Sequence, residues 1–431
     1  MYLMKNSGIE WVGDIPDDWN IIKIKYVLQE RVENNSPIRT KNILSLTAQQ
    51  GVVPIAEKTG GGNKPKEDYS DYRLAYPGDI VMNSMNILSG SVGLSKYFGC
   101  VSPVYYMLRP RDKNFDVRFF NYIFQSTVFQ KSLYGLGNGI LMKESGNGKL
   151  NTIRMRIPMD KFGSLYIPVA PVEEQERIAE FLDKKCGEID GLIADIKTQV
   201  QTLEQYKRSV ITEAVTKGLN PSAQMKDSGA GWMPFVPAHW LVEKIKYHLR
   251  IRGQKNMGDR QVLSLYRDYG VVPKDSRDDN HNVTSEDTST YRFVRVGDFV
   301  VNKMKTWQGS VAVSQYEGIV SPAYYVYEFT DNLFNKRYFH YLLRNKTYTT
   351  EFMRLSGGIR VGQWDLPAEA FENTVVLIPP TVEQKEIADY LDNKCAQIEE
   401  LIFAKQSQIE TLESYKKSLI YEYVTGKKEV V

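Results

Sequence analysis

The chain repeats itself almost end to end. SGIEWVGDIPDDW (Ser7–Trp19) returns as SGAGWMPFVPAHW (Ser228–Trp240), and KIKYVL from Lys23 returns as KIKYHL from Lys244. ILSLTAQQGVVP ending at Pro54 returns as VLSLYRDYGVVP ending at Pro273, and YRLAYPGDIVMNSM from Tyr72 as YRFVRVGDFVVNKM from Tyr291. GSVGLSKYFGCVSPVYY from Gly90 returns as GSVAVSQYEGIVSPAYY from Gly309. Finally, IPVAPVEEQERIAEFLDKKCGEID from Ile167 is matched by IPPTVEQKEIADYLDNKCAQIEE from Ile378. The offset falls from 221 at the start through 219 to 209 near Pro158 and Pro367, so the first copy holds about ten extra residues, assigned to LMKESGNGKL (Leu141–Leu150). A period this long means a duplicated domain-plus-helix unit rather than a solenoid of short repeats. The 431 residues give each copy enough chain to bury its own core.

Within each copy, short apolar stretches are broken by Gly, Pro, Asn and Asp. NILSLT, GDIVMN and VYYMLR read as strands, and VRFFNYIFQSTVFQKSL from Val117 and KRYFHYLLRNKTYTTEFM from Lys336 as helical patches. Each copy is thus expected to be a mixed α/β (α+β) globular domain followed by one long helix. Pro168 and Pro171 punctuate the approach to the first helix, and Glu173, Glu174 and Glu176 favour the positive end of its dipole. Apolar positions then fall on heptads. Leu182, Ile189, Ile196, Leu203 and Val210 form one row, and Cys186, Ile193, Val200, Lys207 and Ala214 the other. The second helix repeats this with Leu391, Ile398, Lys405, Leu412 and Leu419 against Cys395, Ile402, Ile409, Lys416 and Tyr423. Gly218 and Gly426 end the helices, where a left-handed residue is wanted. A stripe this narrow needs a partner of the same shape, and each helix provides one for the other. The expected architecture is two similar globular domains, 1–171 and 219–379, separated by an antiparallel coiled coil of helices 172–218 and 380–431, with the internal repeat as a pseudo-twofold. That arrangement throws the domains to opposite ends and keeps Cys186 from Cys395.

Charge is distributed unevenly. Residues 1–171 carry 21 Lys/Arg against 15 Asp/Glu and residues 219–379 carry 20 against 17, whereas each long helix has 7 against 10. A polyanion should therefore meet the globular domains and not the helices. Three cysteines fit a reducing cytoplasm without disulfides, and no apolar run is long enough to span a membrane. The four histidines, His239, His248, His281 and His340, all lie in the second copy, so a histidine-dependent site cannot be shared. YGLGNG (Tyr134–Gly139) follows a predicted helix and ESGNGKL lacks P-loop spacing; neither reads as a nucleotide site. VEQK from Val382 holds half of a nuclease signature, but the other copy lacks its lysine. LIPPTV lacks the partners of an amino-methyltransferase motif. The chain reads as non-catalytic, without catalytic, cofactor or metal residues.

The two Pro-…-Glu-Gln-x-x-Ile-Ala-x-(Phe/Tyr)-Leu-Asp segments, the helices after them, YPGDIVMNSMN and VGDFVVNKMK, and the lead-in GIEWVGDIPDDW together resemble the specificity subunit (S subunit, HsdS) of type I restriction–modification systems, over residues 7 to 428. The resemblance implies two target recognition domains, each reading half of a split DNA site, on a coiled coil that spaces them and docks two modification (methyltransferase) subunits. It also implies restriction (motor–nuclease) subunits as further partners, and a prokaryotic, cytoplasmic, host-defence setting. S-adenosylmethionine then belongs to the modification subunits, and ATP and magnesium to the restriction subunits. Because the two copies differ at the candidate reading positions, an asymmetric bipartite target is expected.

Candidate DNA-reading residues in GDIVMNSMNILSGS are Asn83, Ser84, Asn86 and Ser89, matched by Asn302, Lys303, Lys305, Thr306 and Gln308. Asn and Gln pair with adenine in the major groove and Lys with guanine; Asn83 and Asn302, identical in both copies, could instead serve the framework. Arg39, Lys41, Lys58, Lys64 and Lys66 flank the glycine loop GGGNKPK and suit phosphates, as do Lys143 and Lys149 of the insertion; Arg360, Gln363 and Trp364 occupy a late loop of the second copy. Two other readings stand beside this one: a stand-alone duplicated DNA-binding or scaffold protein, and a self-sufficient DNA-modifying enzyme.

Overall fold

Ile80, Val81 and Met82 are consecutive, apolar and fully buried, which requires a strand with cores on both faces. The structure, a computed structural model, supplies both. Ile80 and Met82 face one core with Tyr106, Leu108 and the following helix, while Val81 faces a second with Leu44, Leu46 and Val52 of a hairpin. The sheet is antiparallel, ordered Leu28–Arg31, Tyr105–Pro110, Ile80–Asn83, Val92–Leu94. The second copy builds the same sheet from Leu249–Ile251, Tyr324–Phe329, Phe299–Asn302 and Val311–Val313, with Phe299 and Val301 in one core and Val300 in the other. The structure describes residues 3–47, 51–58, 65–137, 143–144, 150–151, 156–256, 259–267, 269–276, 284–358 and 364–430. They group into two units, 1–196 with 407–431 and 197–406.

Each helical patch in the sequence is two helices. Val117–Gln125 is followed by Thr127–Ser132, and Lys336–Arg344 by Lys346–Leu355. The breaks fall at Ser126 and Asn345, which take extended backbone; Asn345 Oδ1 accepts from Thr347 N and Tyr348 N and so starts a new helix. Most of the LMKESGNGKL insertion lies outside the described residues, though Lys143–Glu144 pairs with Leu150–Asn151.

The long helices run Val172–Lys217 and Thr381–Val424, about 69 and 66 Å at 1.5 Å per residue. Both heptad rows lie on the covered side. In the first unit, Leu182, Cys186, Ile189 and Ile193 join Leu419 and Tyr423, with Ile409 and Leu412 packed against them, while Ile196 is half-buried. In the second unit, Val210, Ala214 and Leu391 share a core, Cys395 and Ile398 are buried, and Val200, Leu203 and Ile402 are half-buried. The helices run antiparallel in both units. Phe181 meets Tyr423 at 4.5 Å between ring centroids and Lys416 Nζ meets Asp190 at 2.7 Å in the first. In the second, Lys207 pairs with Glu399 and Lys405 Nζ donates to Gln199 Oε1 at 2.5 Å. The lysines at heptad core positions thus reach polar groups on the facing helix, which penalises a slipped register. All three cysteines are free and buried, and burial pushes the Cys186 thiol up to about 11.

The signature segments form the joint between globular part and helix. Trp19 Nε1 donates to Glu174 and Trp240 Nε1 to Glu383, each at 3.0 Å. Gln175 Oε1 accepts from Asp116 N at 2.9 Å while its Nε2 donates to Ala170 O at 2.8 Å and Asn114 O at 3.3 Å; Gln384 does the same with Asn335 N, Pro379 O and Leu333 O, each at 2.8 Å. Tyr122 and Arg118 hold Asp183, as Tyr341 and Arg337 hold Asp392. Because Gln384 is fully buried, Gln384→Leu strands three backbone groups, and we expect a loss of about 2–4 kcal/mol by chemical denaturation. Gln384→Glu should lose at least as much, because its carboxylate would be buried against the Leu333 and Pro379 carbonyls that the amide now serves.

Candidate nucleic-acid interface

The buried central strand of each sheet ends in an asparagine that folds the chain back. Asn83 Oδ1 accepts from Met85 N at 3.0 Å, and Asn302 Oδ1 from Met304 N at 3.1 Å. One helical turn follows, Ile87–Ser89 or Thr306–Gln308, closed by Gly90 at φ +81° or Gly309 at φ +90°. Asn83 N donates to Ser91 O at 3.0 Å and Asn302 N to Ser310 O at 3.1 Å, so the base of each turn is pinned. Asn83 and Asn302 thus each hold the backbone of the turn in their own unit. Behind the second turn packs the helix Lys346–Leu355.

On this common frame the side chains diverge. Ser84 and Thr306, both in the reading set, point inward in this structure. Both are buried and their hydroxyls donate at 2.6 Å to Val104 O and Asn302 O, because the turn needs those carbonyls satisfied. Asn86, Lys305 and Gln308 are exposed. Lys303 is half-buried with Nζ 3.6 Å from Asp365. Of Ser89 the structure describes only the backbone.

A later segment docks on the same turn. Ile157 N donates to Ser84 O at 3.0 Å in the first unit, and Leu366 N to Lys303 O at 2.9 Å in the second. Trp364 thereby lies beside Trp307, ring centroids 5.5 Å apart, and Trp307 Nε1 donates to Met304 O. The second unit thus gathers Lys303, Lys305, Gln308, Trp307 and Trp364 around one turn. Trp307 and the exposed Met304 were absent from the sequence set; the signal for Trp307 was an indole standing where the first copy has Leu88, whereas Met304 matches Met85.

The remaining candidates are not gathered there. Arg39 pairs with Glu33 at 3.2 Å. The Tyr76 hydroxyl and Arg31 hold the Glu33 carboxyl below its ordinary range. Arg31 also bonds Asp79, one residue before the strand Ile80–Asn83 and about 13 Å along it from the turn at 3.3 Å per residue. Lys66 pairs with Asp71 at 2.9 Å, Lys41 is exposed and Lys58 half-buried. Lys64, Lys149, Arg360 and Gln363 lie outside the described residues, as does the side chain of Lys143.

The described histidines make their contacts within the fold. His248 is buried between Glu243 and Asp331, and His239 meets Glu383 at 2.8 Å. Burial, with Arg344 adjacent, drops His340 to about 3, so it is uncharged at neutral pH. His281 lies outside the described residues. Among the described residues no three His, Cys, Asp or Glu side chains converge as metal ligands, and no helix is long and apolar enough to cross a membrane.

Residues 16–202 and 253–411 each match the family profile described as the type I restriction modification DNA specificity domain. The putative type I restriction enzyme MjaX specificity subunit of Methanocaldococcus jannaschii is 24% identical, over 99% of this chain and 97% of that protein. The MjaVIII specificity subunit of the same organism is also 24% identical, over 96% and 93%. A solved structure described as the structural basis underlying complex assembly and conformational transition of the type I R-M system shares the fold, with TM-score 0.67 at 13% identity over 96% of this chain and 99% of that one. The duplicated profile, covering both copies of the frame and most of both long helices, makes this chain a member of the type I restriction–modification specificity-subunit family.

Proposed function

We propose that each unit reads one half of a split sequence on duplex DNA through the turn that follows its central strand. As a specificity subunit, the chain is a DNA-recognition subunit and not an enzyme by itself. The observation that carries the finer reading is one backbone frame, pinned by the same hydrogen bonds, bearing unlike exposed side chains: Asn86 in one turn, Lys305 and Gln308 in the other. A shared frame sets a shared approach to the groove, and unlike side chains there read unlike bases. The target is therefore asymmetric and bipartite. The domains divide as 1–171 and 219–379, with helices 172–218 and 380–431 as spacer and as two alike docking faces for modification subunits. Those subunits bind S-adenosylmethionine; restriction subunits, with ATP and magnesium, complete a cytoplasmic complex.

Lys303→Ala with Lys305→Ala tests this. In the host's adenine methylation pattern the half-site read by the second unit should change or relax, by about 1–3 kcal/mol of discrimination per lost base contact. The other half-site should stay as it was. An unaltered pattern removes the turn from the reading surface.

A further inference from the structure

The first unit's turn, NSMNILSGS from Asn83, contains no cation, whereas the second unit's NKMKTWQGS contains Lys303 and Lys305. A unit that reads DNA with uncharged groups alone forgoes the strongest base contact, the arginine or lysine fork on guanine. The docking segment supplies what the turn lacks. Ile157 N bonds the carbonyl of Ser84, so the residue before it, Arg156, is held at the edge of the turn. Arg156 is exposed. The same hydrogen bond, Leu366 N to Lys303 O, fixes the equivalence in the second unit, where the matching residue is Asp365.

Charge has therefore changed place between the copies. In the first unit the turn position is Ser84 and the docking position Arg156; in the second the turn position is Lys303 and the docking position Asp365, 3.6 Å from it. The DNA backbone is equally negative at both half-sites. A position devoted to phosphate would carry a cation in both copies, and an acid there would be repelled. Inversion of sign at one structural position is instead what base-edge reading requires. Resting on the proposed reading surface, we infer that Arg156 is a specificity-determining residue of the first unit and bonds the O6/N7 acceptor pair of a guanine.

The test replaces the chromosomal gene with Arg156→Ala and Arg156→Gln alleles and reads the methylated-adenine motif in the host. Arg156→Ala should lower the preference for guanine at one position of the first unit's half-site by about five- to a hundredfold. Arg156→Gln, of similar length, should move that position toward adenine, whose N6/N7 edge suits an amide. The other half-site should be unchanged in both. An unchanged motif overturns the inference. So does a loss of methylation uniform across sequences with a salt dependence reduced by about one charge, the mark of a phosphate contact, and so does complete loss with both alleles. The Lys303→Ala/Lys305→Ala allele separates the failures: if it shifts its own half-site while the Arg156 alleles shift nothing, only Arg156 is wrongly assigned. If none shifts the motif, the reading surface itself is wrong.

Discussion

Gly426→Ala should destabilise the first unit by about 2–5 kcal/mol, and Gly8→Ala by only about 1–2 kcal/mol. The two glycines have nearly the same backbone, φ +68° and φ +69°. Each therefore loses about the same in forcing a side chain into the left-handed region. They differ in what a Cβ would meet. At Gly8 nothing lies within 4 Å, whereas at Gly426 it would stand 2.3 Å from Pro16 Cδ, 2.7 Å from Cγ and 3.4 Å from the Trp19 ring. The proline ring cannot swing aside as a lysine tip would, so the overlap adds about 1–3 kcal/mol of overpacking. Gly218→Ala belongs between them in cost, because its Cβ would meet Glu383 Oε1 at 3.0 Å and the Trp240 ring at 3.2 Å. Denaturant unfolding followed by hydrogen exchange in each unit separately is the measurement, since a two-unit chain has no single stability. Equal losses at Gly426 and Gly8 would mean that the end of the distal helix is not seated on the Trp19 lead-in.

That seating shows what the sequence revealed and what it hid. The duplication, the heptad rows and the terminal glycines were legible because each depends on spacing along the chain, which the sequence states directly. The use of the signature residues was not. Trp19 and Glu174 are 155 residues apart, and only the fold brings the indole N–H to the carboxylate. The strand GDIVMN was readable from its apolar run, but not that alternate residues enter different cores. Within the turn, residue type suggested DNA contact for Ser84 and Thr306, whereas burial assigned their hydroxyls to backbone carbonyls. Small hydroxyl side chains serve turns and bases equally well, and sequence alone does not separate the two. Arg156 escaped notice for the opposite reason. It lies far from the turn in sequence, in the stretch where the copies fall out of register by ten residues, and only the Ile157–Ser84 hydrogen bond places it.

Seven residues inserted together between Ile196 and Lys197 and between Gln406 and Ser407 should lengthen the nonspecific spacer of the methylated site by about three base pairs, with weakened binding. Both cuts fall where the chain passes from one unit to the other, so the described contacts inside each unit stay intact. A heptad restores the apolar seam to within about 20° and adds about 10.5 Å of helix, which at about 3.4 Å per base pair is three pairs. Duplex DNA, however, turns once in about 10.5 pairs, so three pairs rotate the second half-site by about 100° while the seam hardly turns. The joint or the DNA must absorb that twist, and the strain should appear as slower methylation at every site of the new spacing. Inserting the heptad in one helix alone should abolish recognition, since Lys416–Asp190 and Lys207–Glu399 could no longer form together along one seam. If the paired insertion leaves the spacer unaltered, the helices are not what measures the distance between half-sites, and the readers must be positioned by the partner subunits instead.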